Sequence, residues 1–230
     1  MTLQSPLIAV TKTTTATGVA TLGTGSSQSI TSGWKSDSPN VATVSDSGVV
    51  TGVSNGTATI YVVFGGRQGQ AQVRVMPNYP GQWQGTYIIR SCQTIDLEDI
   101  IANTCTLKLT PGTVLPVSFT LTQSGESVSG QYFYGSGAFV PYVTALSTPI
   151  TFTPSTAPIE GDGSASLFAT ATVQFVTTIE STWRINSPAD GQLAGSLSMT
   201  RRRDGRSLRL TADIVSVSRT SALIAPGDGH

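Results

Sequence analysis

The chain has 230 residues, enough for one large or two small domains. Its 13 basic and 13 acidic side chains cancel, and charged residues make up only 11%, which leaves no electrostatic case for nucleic acid or an anionic membrane surface. No run of about 18 apolar residues is present to span a bilayer. Ser, Thr, Val and 24 glycines favour strands and tight turns over long helices.

The opening residues, M-T-L-Q-S-P-L-I-A-V, lack a basic stretch followed by a long apolar core, so no secretory leader is read there. Residues 1–10 read either as part of the first domain or as a frayed terminal segment. The Thr-rich run after them favours extended backbone. Gly23, Gly25 and Ser26 read as a turn, with a short strand near Ser29–Thr31. Ala42 and Val44 alternate with Thr43 and Ser45, the period of a half-buried strand. Asp46-Ser47-Gly48 supplies a turn, Val50 and Val53 resume the apolar positions, and Asn55-Gly56 reads as a hairpin turn into a strand over Thr57–Val62. Gly65-Gly66 then leads to a closing strand, Gln70–Val75. Trp34 stands where a large ring can plug a small sandwich core.

The stretch from Trp34 to Val62, W-K-S-D-S-P-N-V-A-T-V-S-D-S-G-V-V-T-G-V-S-N-G-T-A-T-I-Y-V, resembles the bacterial Ig-like group 2 domain. The family pattern is met by Trp34, Ser36, Val41, Ala42, Val44, Gly48, Val50, Gly52, Gly56, Ala58, Ile60 and Val62, and Val73 and Val75 fit its last strand. The resemblance, taken over residues 7–76, implies an Ig-like β-sandwich. It also implies a place in bacterial surface, secreted or phage virion proteins, and a role as spacer or binding module without a catalytic residue set. The family's opening strand is not evident before Leu7, so it is expected to be trimmed away or supplied from elsewhere.

The expected domain order is a sandwich over residues 1–76, a linker over 77–81, a second antiparallel β-domain over 82–220, and a flexible tail over 221–230. Two prolines, Pro77 and Pro80, stiffen the linker and interrupt strand pairing. The fold class is therefore all-β, with the second domain either a barrel or a sandwich. Cys92 and Cys105 fit one disulfide, which would stabilise the fold by about 3 kcal/mol on the loop-entropy model. The alternative is a pair of buried reduced thiols. Two cysteines without a nearby histidine make no tetrahedral zinc site, and the one histidine is His230. Between the cysteines, Asp96 caps an expected helix with Leu97, Ile100 and Ile101 on one face. Asp96, Glu98 and Asp99 match no calcium loop, so no metal is assigned.

Val117, Phe119 and Leu121 alternate with polar residues into a turn at Ser124-Gly125, and Val128, Gly130, Tyr132 and Tyr134 continue the period. A two-residue turn there pairs Leu121 with Val128 and Phe119 with Gly130. The Pro- and Gly-rich stretch over residues 135–163 reads as irregular or edge structure. Tyr132, Tyr134, Phe139 and Tyr142 are candidates to line a ligand-binding mouth. Phe139, Tyr142 and Phe152 read rather as a cap on the open end of the sheet. Phe168, Val173, Phe175, Val176 and Trp183 are candidate core residues of two further strands. Asp204-Gly205 reads as a second tight turn, pairing Met199 with Leu210 and Leu197 with Ala212.

Gly81-x-Trp83 before the first strand, the hairpin from Phe119 to Gly130, and Arg219 after the last strand resemble the calycin barrels of lipocalins and avidins. That resemblance implies that Trp83 packs against Arg219 at the closed end.

Arg201, Arg202, Arg203 and Arg206 form the one charge concentration, at a hairpin tip. They read either as a clamp for an anion or as a solvated tip that keeps an edge from pairing. No aromatic residues are interleaved with them, which argues against single-stranded nucleic acid. No Ser-His-Asp set, nucleophile elbow, phosphate loop or zinc-protease motif is present, and nothing pairs Glu126, Glu160, Asp162, Glu180 or Asp190 for acid-base work. The sequence is therefore expected to be non-catalytic, without cofactor or metal. It reads as an extracytoplasmic structural or adhesive module with protein partners or self-assembly through exposed β edges. The alternative is a barrel that binds a carbohydrate or a small apolar ligand.

Overall fold

Strand-forming runs broken by glycine turns give a chain of β-strands, seen in a computed structural model that describes residues 1–95, 105–106, 109–134, 155–173, 177–203 and 205–220. The helix expected near residues 96–101, the aromatics Phe139, Tyr142, Phe152 and Phe175, Val176, and the tail over 221–230 lie outside the described residues. The chain forms two units. One is Met1–Asn78 with Glu160–Gly163, and the other is Tyr79–Ile159 with Ser164–His230.

The first unit has nine strands: β1 (Thr2–Leu3), β2 (Leu7–Ala9), β3 (Thr13–Thr21), β4 (Ser27–Ile30), β5 (Trp34–Ser36), β6 (Ala42–Val44), β7 (Val49–Gly52), β8 (Gly56–Phe64) and β9 (Arg67–Met76). They form a sheet of order β2-β9-β8-β5 and a second of order β1-β3-β7-β6, with β4 paired to β3. Alternate residues of both sheets point inward, so Ala42, Val50, Ala58, Ile60, Val62 and Val73 form the core around Trp34. Gly48 has φ +83°, and a Cβ there would stand 2.7 Å from the Ala16 carbonyl and 3.2 Å from the Trp34 indole nitrogen. Glycine at 48 is therefore what lets the β6–β7 turn cross the ring.

Three expectations for this unit are corrected. Residues 1–10 are not a frayed end, since β1 pairs with β3 and β2 pairs in parallel with β9. A first strand, expected to be trimmed away or to come from elsewhere, is thus supplied by Leu7–Ala9 of this chain. Asn55-Gly56 is not a hairpin turn. β7 pairs with β3 and β6, whereas β8 pairs with β5 and β9, so these residues carry the chain from one sheet to the other.

The second unit is a meander of eight strands: β10 (Gly81–Ile95), β11 (Val114–Ser124), β12 (Ser127–Tyr134), β13 (Ser155–Pro158), β14 (Ala165–Val173), β15 (Thr177–Asn186), β16 (Gln192–Arg203) and β17 (Arg206–Arg219). The sheet order is β13-β12-β11-β10-β17-β16-β15-β14, so the first strand pairs with the last. β13 and β14 meet at the seam without a ladder, which leaves a nearly closed barrel. The β16–β17 register is the expected one, with Met199 opposite Leu210 and Leu197 opposite Ala212.

The β11–β12 register is displaced by two residues from the expected one. Ser124 pairs with Ser127 across Gly125-Glu126, so Leu121 faces Gly130 and Phe119 faces Tyr132. An even displacement keeps every side chain on its face. The space at Gly130 serves Leu121, whose Cδ2 would overlap a Cβ there. Phe168, expected in the core, is 51% exposed, because its neighbours Leu167 and Ala169 take the inward positions.

Candidate functional site

One end of the barrel forms around a residue of the linker. Tyr79 is buried, its hydroxyl donates to the Ile185 carbonyl at 3.4 Å, and its own carbonyl accepts the Trp83 indole N–H at 2.9 Å. The Arg219 guanidinium carbon lies 4.7 Å from the centroid of the Trp83 ring, and its Nη2 is 3.3 Å from Asp190. The packing of Trp83 against Arg219 implied by the calycin resemblance is present. Gly81 is the residue that admits the arginine, since a Cβ there would stand 3.2 Å from Arg219 Cδ.

The middle of the barrel is filled by rings. Trp183 makes edge contacts with Tyr87, Phe119 and Tyr132, with centroids 5.6, 5.3 and 6.3 Å away. Tyr132 reaches from β12 to β15, where its hydroxyl and Ser181 Oγ are 2.6 Å apart and Ser181 donates onward to the Ala169 carbonyl at 3.4 Å. Burial pushes the Tyr132 phenol up to about 12, opposed by the Ser181 hydrogen bond. Burial also pushes the Tyr87 phenol well above its ordinary value. Both phenols therefore stay protonated at neutral pH, far from the pKa a general base needs, and the Tyr132 hydroxyl serves as a buried hydrogen-bonding group.

Tyr132 is thus a packed interior residue and does not line an open mouth. The side chain of Tyr134 lies outside the described residues.

Arg202 stands apart from the other three arginines. Neighbours on a strand point to opposite faces. Arg201 turns inward and is 8% exposed, one layer outside Met199 and Leu210, whereas Arg202 is on the outer face in an ion pair with Glu180. Arg206 is half-buried opposite Arg203, whose side chain lies outside the described residues. The four-arginine clamp is therefore corrected by the loss of the outward Arg202, while the register keeps positions 201, 203 and 206 on one face. The reading of the whole cluster as a solvated tip fails because Arg201 turns inward.

Cys92 and Cys105 form a disulfide, with Cα atoms 5.3 Å apart. Cys92 pairs with buried Leu210, so the bridge ties the β10–β11 connection to the same end of the barrel as Arg201.

The acidic residues are dispersed. Glu180 and Asp190 each pair with an arginine, and Glu160 and Asp162 cluster with the first unit. Among the described residues no three His, Cys, Asp or Glu side chains are grouped to hold a metal, and no helix is long and apolar enough to cross a membrane.

Sequence reasoning missed Tyr79 and Ser181. Ser181 stands two residues before Trp183 on the same strand face, and that spacing was the available signal. The first unit adds a groove of about 620 Å³ between the β3–β4 and β8–β9 hairpins, with Met1, Leu22, Ile30, Val62 and Phe64 among its walls.

Residues 30–76 match the Big-like family, a bacterial Ig-like domain. The match contains the Trp34–Val62 stretch and the closing strand β9. Among curated proteins none matches the chain.

Proposed function

We propose that this protein is a non-catalytic structural or adhesive module that works outside the cytoplasm, in a bacterial surface, secreted or phage virion assembly. The bacterial Ig-like domain at residues 30–76 carries the reading, because such domains typically act as extracellular structural or adhesive units. The Cys92–Cys105 bridge supports it, since disulfides persist in oxidising compartments. A barrel that holds a small apolar ligand or a carbohydrate inside has less support, because the rings around Trp183 occupy the middle of the barrel.

The test is an antibody to this chain, applied to intact unpermeabilised cells, culture fluid and purified virions of the native source. Signal in one of these before lysis is the expected result. Signal that appears only after cells are lysed overturns the reading.

A further inference from the structure

A sheet edge exposes unpaired backbone N–H and C=O groups, and proteins usually keep such edges short or blunt them with lysine, proline or a bulge. In the Ig-like unit, β5 and β6 have three residues each and β4 has four. β9 differs. It runs Arg67–Met76, and β2 covers only Arg74–Met76, which leaves Arg67–Val73 paired on one side alone.

The direction of the free groups follows from the turn. Phe64 and Arg67 flank the two-residue Gly65-Gly66 turn and exchange hydrogen bonds, so Arg67, Gly69, Ala71 and Val73 bond inward to β8. Gln68, Gln70 and Gln72 therefore point their backbone N–H and C=O outward. Arg74 follows the same alternation, and its N–H donates to Pro6 at 2.8 Å. The three glutamine side chains are exposed, and Gln68 Nε2 donates to Gln70 Oε1 at 3.0 Å. Between Gln68 and Val73 there is no lysine, proline, charged residue or bulge.

We propose that this edge pairs with the same edge of a second copy of the chain, antiparallel about a two-fold axis at Gln70. The proposal rests on the structural-module reading and deepens it. In this register Gln70 faces Gln70 of the copy and Gln68 faces Gln72, each pair exchanging both backbone bonds. A glutamine amide donates and accepts equally, so the stretch is complementary to itself, as glutamine ladders are. Arg67 then faces Val73, where the pairing ends because Arg74 is already paired with Leu7 of its own chain, so no arginine opposes another. The tip that arrives beside Pro6 is Gly65-Gly66, which carries no side chain to strike it. The net charge of zero adds no long-range repulsion between copies. Two four-stranded sheets become one continuous sheet, with isologous symmetry.

The experiment is sedimentation of the full chain across a concentration series, with circular dichroism and melting to confirm that each variant is folded. The wild type is expected to form a concentration-dependent dimer. Gln70→Pro is expected to be monomeric yet folded, because the Gln70 N–H makes no bond within the chain. Gln68→Lys with Gln72→Lys puts like charges opposite and is expected to weaken the dimer about tenfold or more, whereas Gln68→Glu with Gln72→Lys puts opposite charges together and retains it.

A wild type that stays monomeric overturns the proposal, as does a dimer indifferent to Gln70→Pro or a charge-swapped pair no better than the like-charged one. A monomer whose binding of a different protein is lost in Gln70→Pro overturns the second copy as occupant. A monomer found on the cell surface leaves the module reading standing, and a dimer found only inside cells removes that reading while keeping the interface.

Discussion

The two units draw on the same residue classes and build different interiors. In the sandwich two sheets face each other closely, and short side chains such as Ala42, Val50, Ala58 and Val73 fill the gap around the ring of Trp34. In the barrel one sheet curls on itself and every strand stands further from the centre, so Trp183, Tyr87, Phe119 and Tyr132 fill it with rings. The arrangement of the sheets, more than strand propensity, decides how large the inward residues must be. It also decides where polar atoms become buried. A tyrosine that crosses a barrel carries its hydroxyl inside, and Ser181 is the partner that offsets the cost.

The largest effect expected from this contrast is that of Trp183→Ala. Removing a ring packed against three others should cost about 3–5 kcal/mol. In denaturant titrations the loss should fall on the barrel, and Trp34→Ala should weaken the sandwich instead. Equal weakening of both units by either variant would break the comparison. Next is Cys92→Ser with Cys105→Ser, expected to cost about 3 kcal/mol by loosening the unfolded barrel chain. The measurement is the denaturation midpoint with and without reductant, and reductant should lower only the wild type.

Tyr132→Phe is expected to cost about 1–2 kcal/mol, because it removes one side of a buried hydrogen bond and leaves the Ser181 hydroxyl to the Ala169 carbonyl. The same residue sets an alkaline limit. Its folded pKa is about 12 and its unfolded value is 10.0, so above pH 10 the unfolded chain releases the proton first and stability falls until the folded value is passed. Alkaline unfolding followed by tyrosinate absorbance should therefore be shallower in Tyr132→Phe.

The smallest effect concerns the sandwich. Asp37 accepts the Thr59 N–H at 2.8 Å, and that hydrogen bond holds its carboxyl below the ordinary value. The stability it contributes is present above the unfolded pKa and is lost as pH falls through the depressed folded one. Asp37→Asn should flatten the acid limb of an acid-unfolding curve without moving the alkaline one.

These residues also mark what could be read from the sequence. The β16–β17 register was legible because Asp204-Gly205 permits one tight turn. The β11–β12 hairpin was legible in face but not in register, because S-G-E-S lets the turn sit at Ser124-Gly125 or at Gly125-Glu126. β2 was not legible. Three residues carry no period, and their partner β9 lies far along the chain. The contact of Trp83 with Arg219 was reachable only through the family resemblance. Arg201 was misread because an arginine triplet looks solvated, whereas strand alternation sends Arg201 inward and Arg202 out. Tyr132 was placed on the inward face, but its partner Ser181 is 49 residues away and no local pattern joins them.

The proposed setting of this structural module is oxidising and extracytoplasmic. The most direct measurement is the state of its two cysteines in protein taken from the native source and alkylated before any reductant is added. Cys92 and Cys105 should both escape alkylation and become modifiable only after reduction. Free, fully alkylated thiols in the untreated protein would rule that setting out.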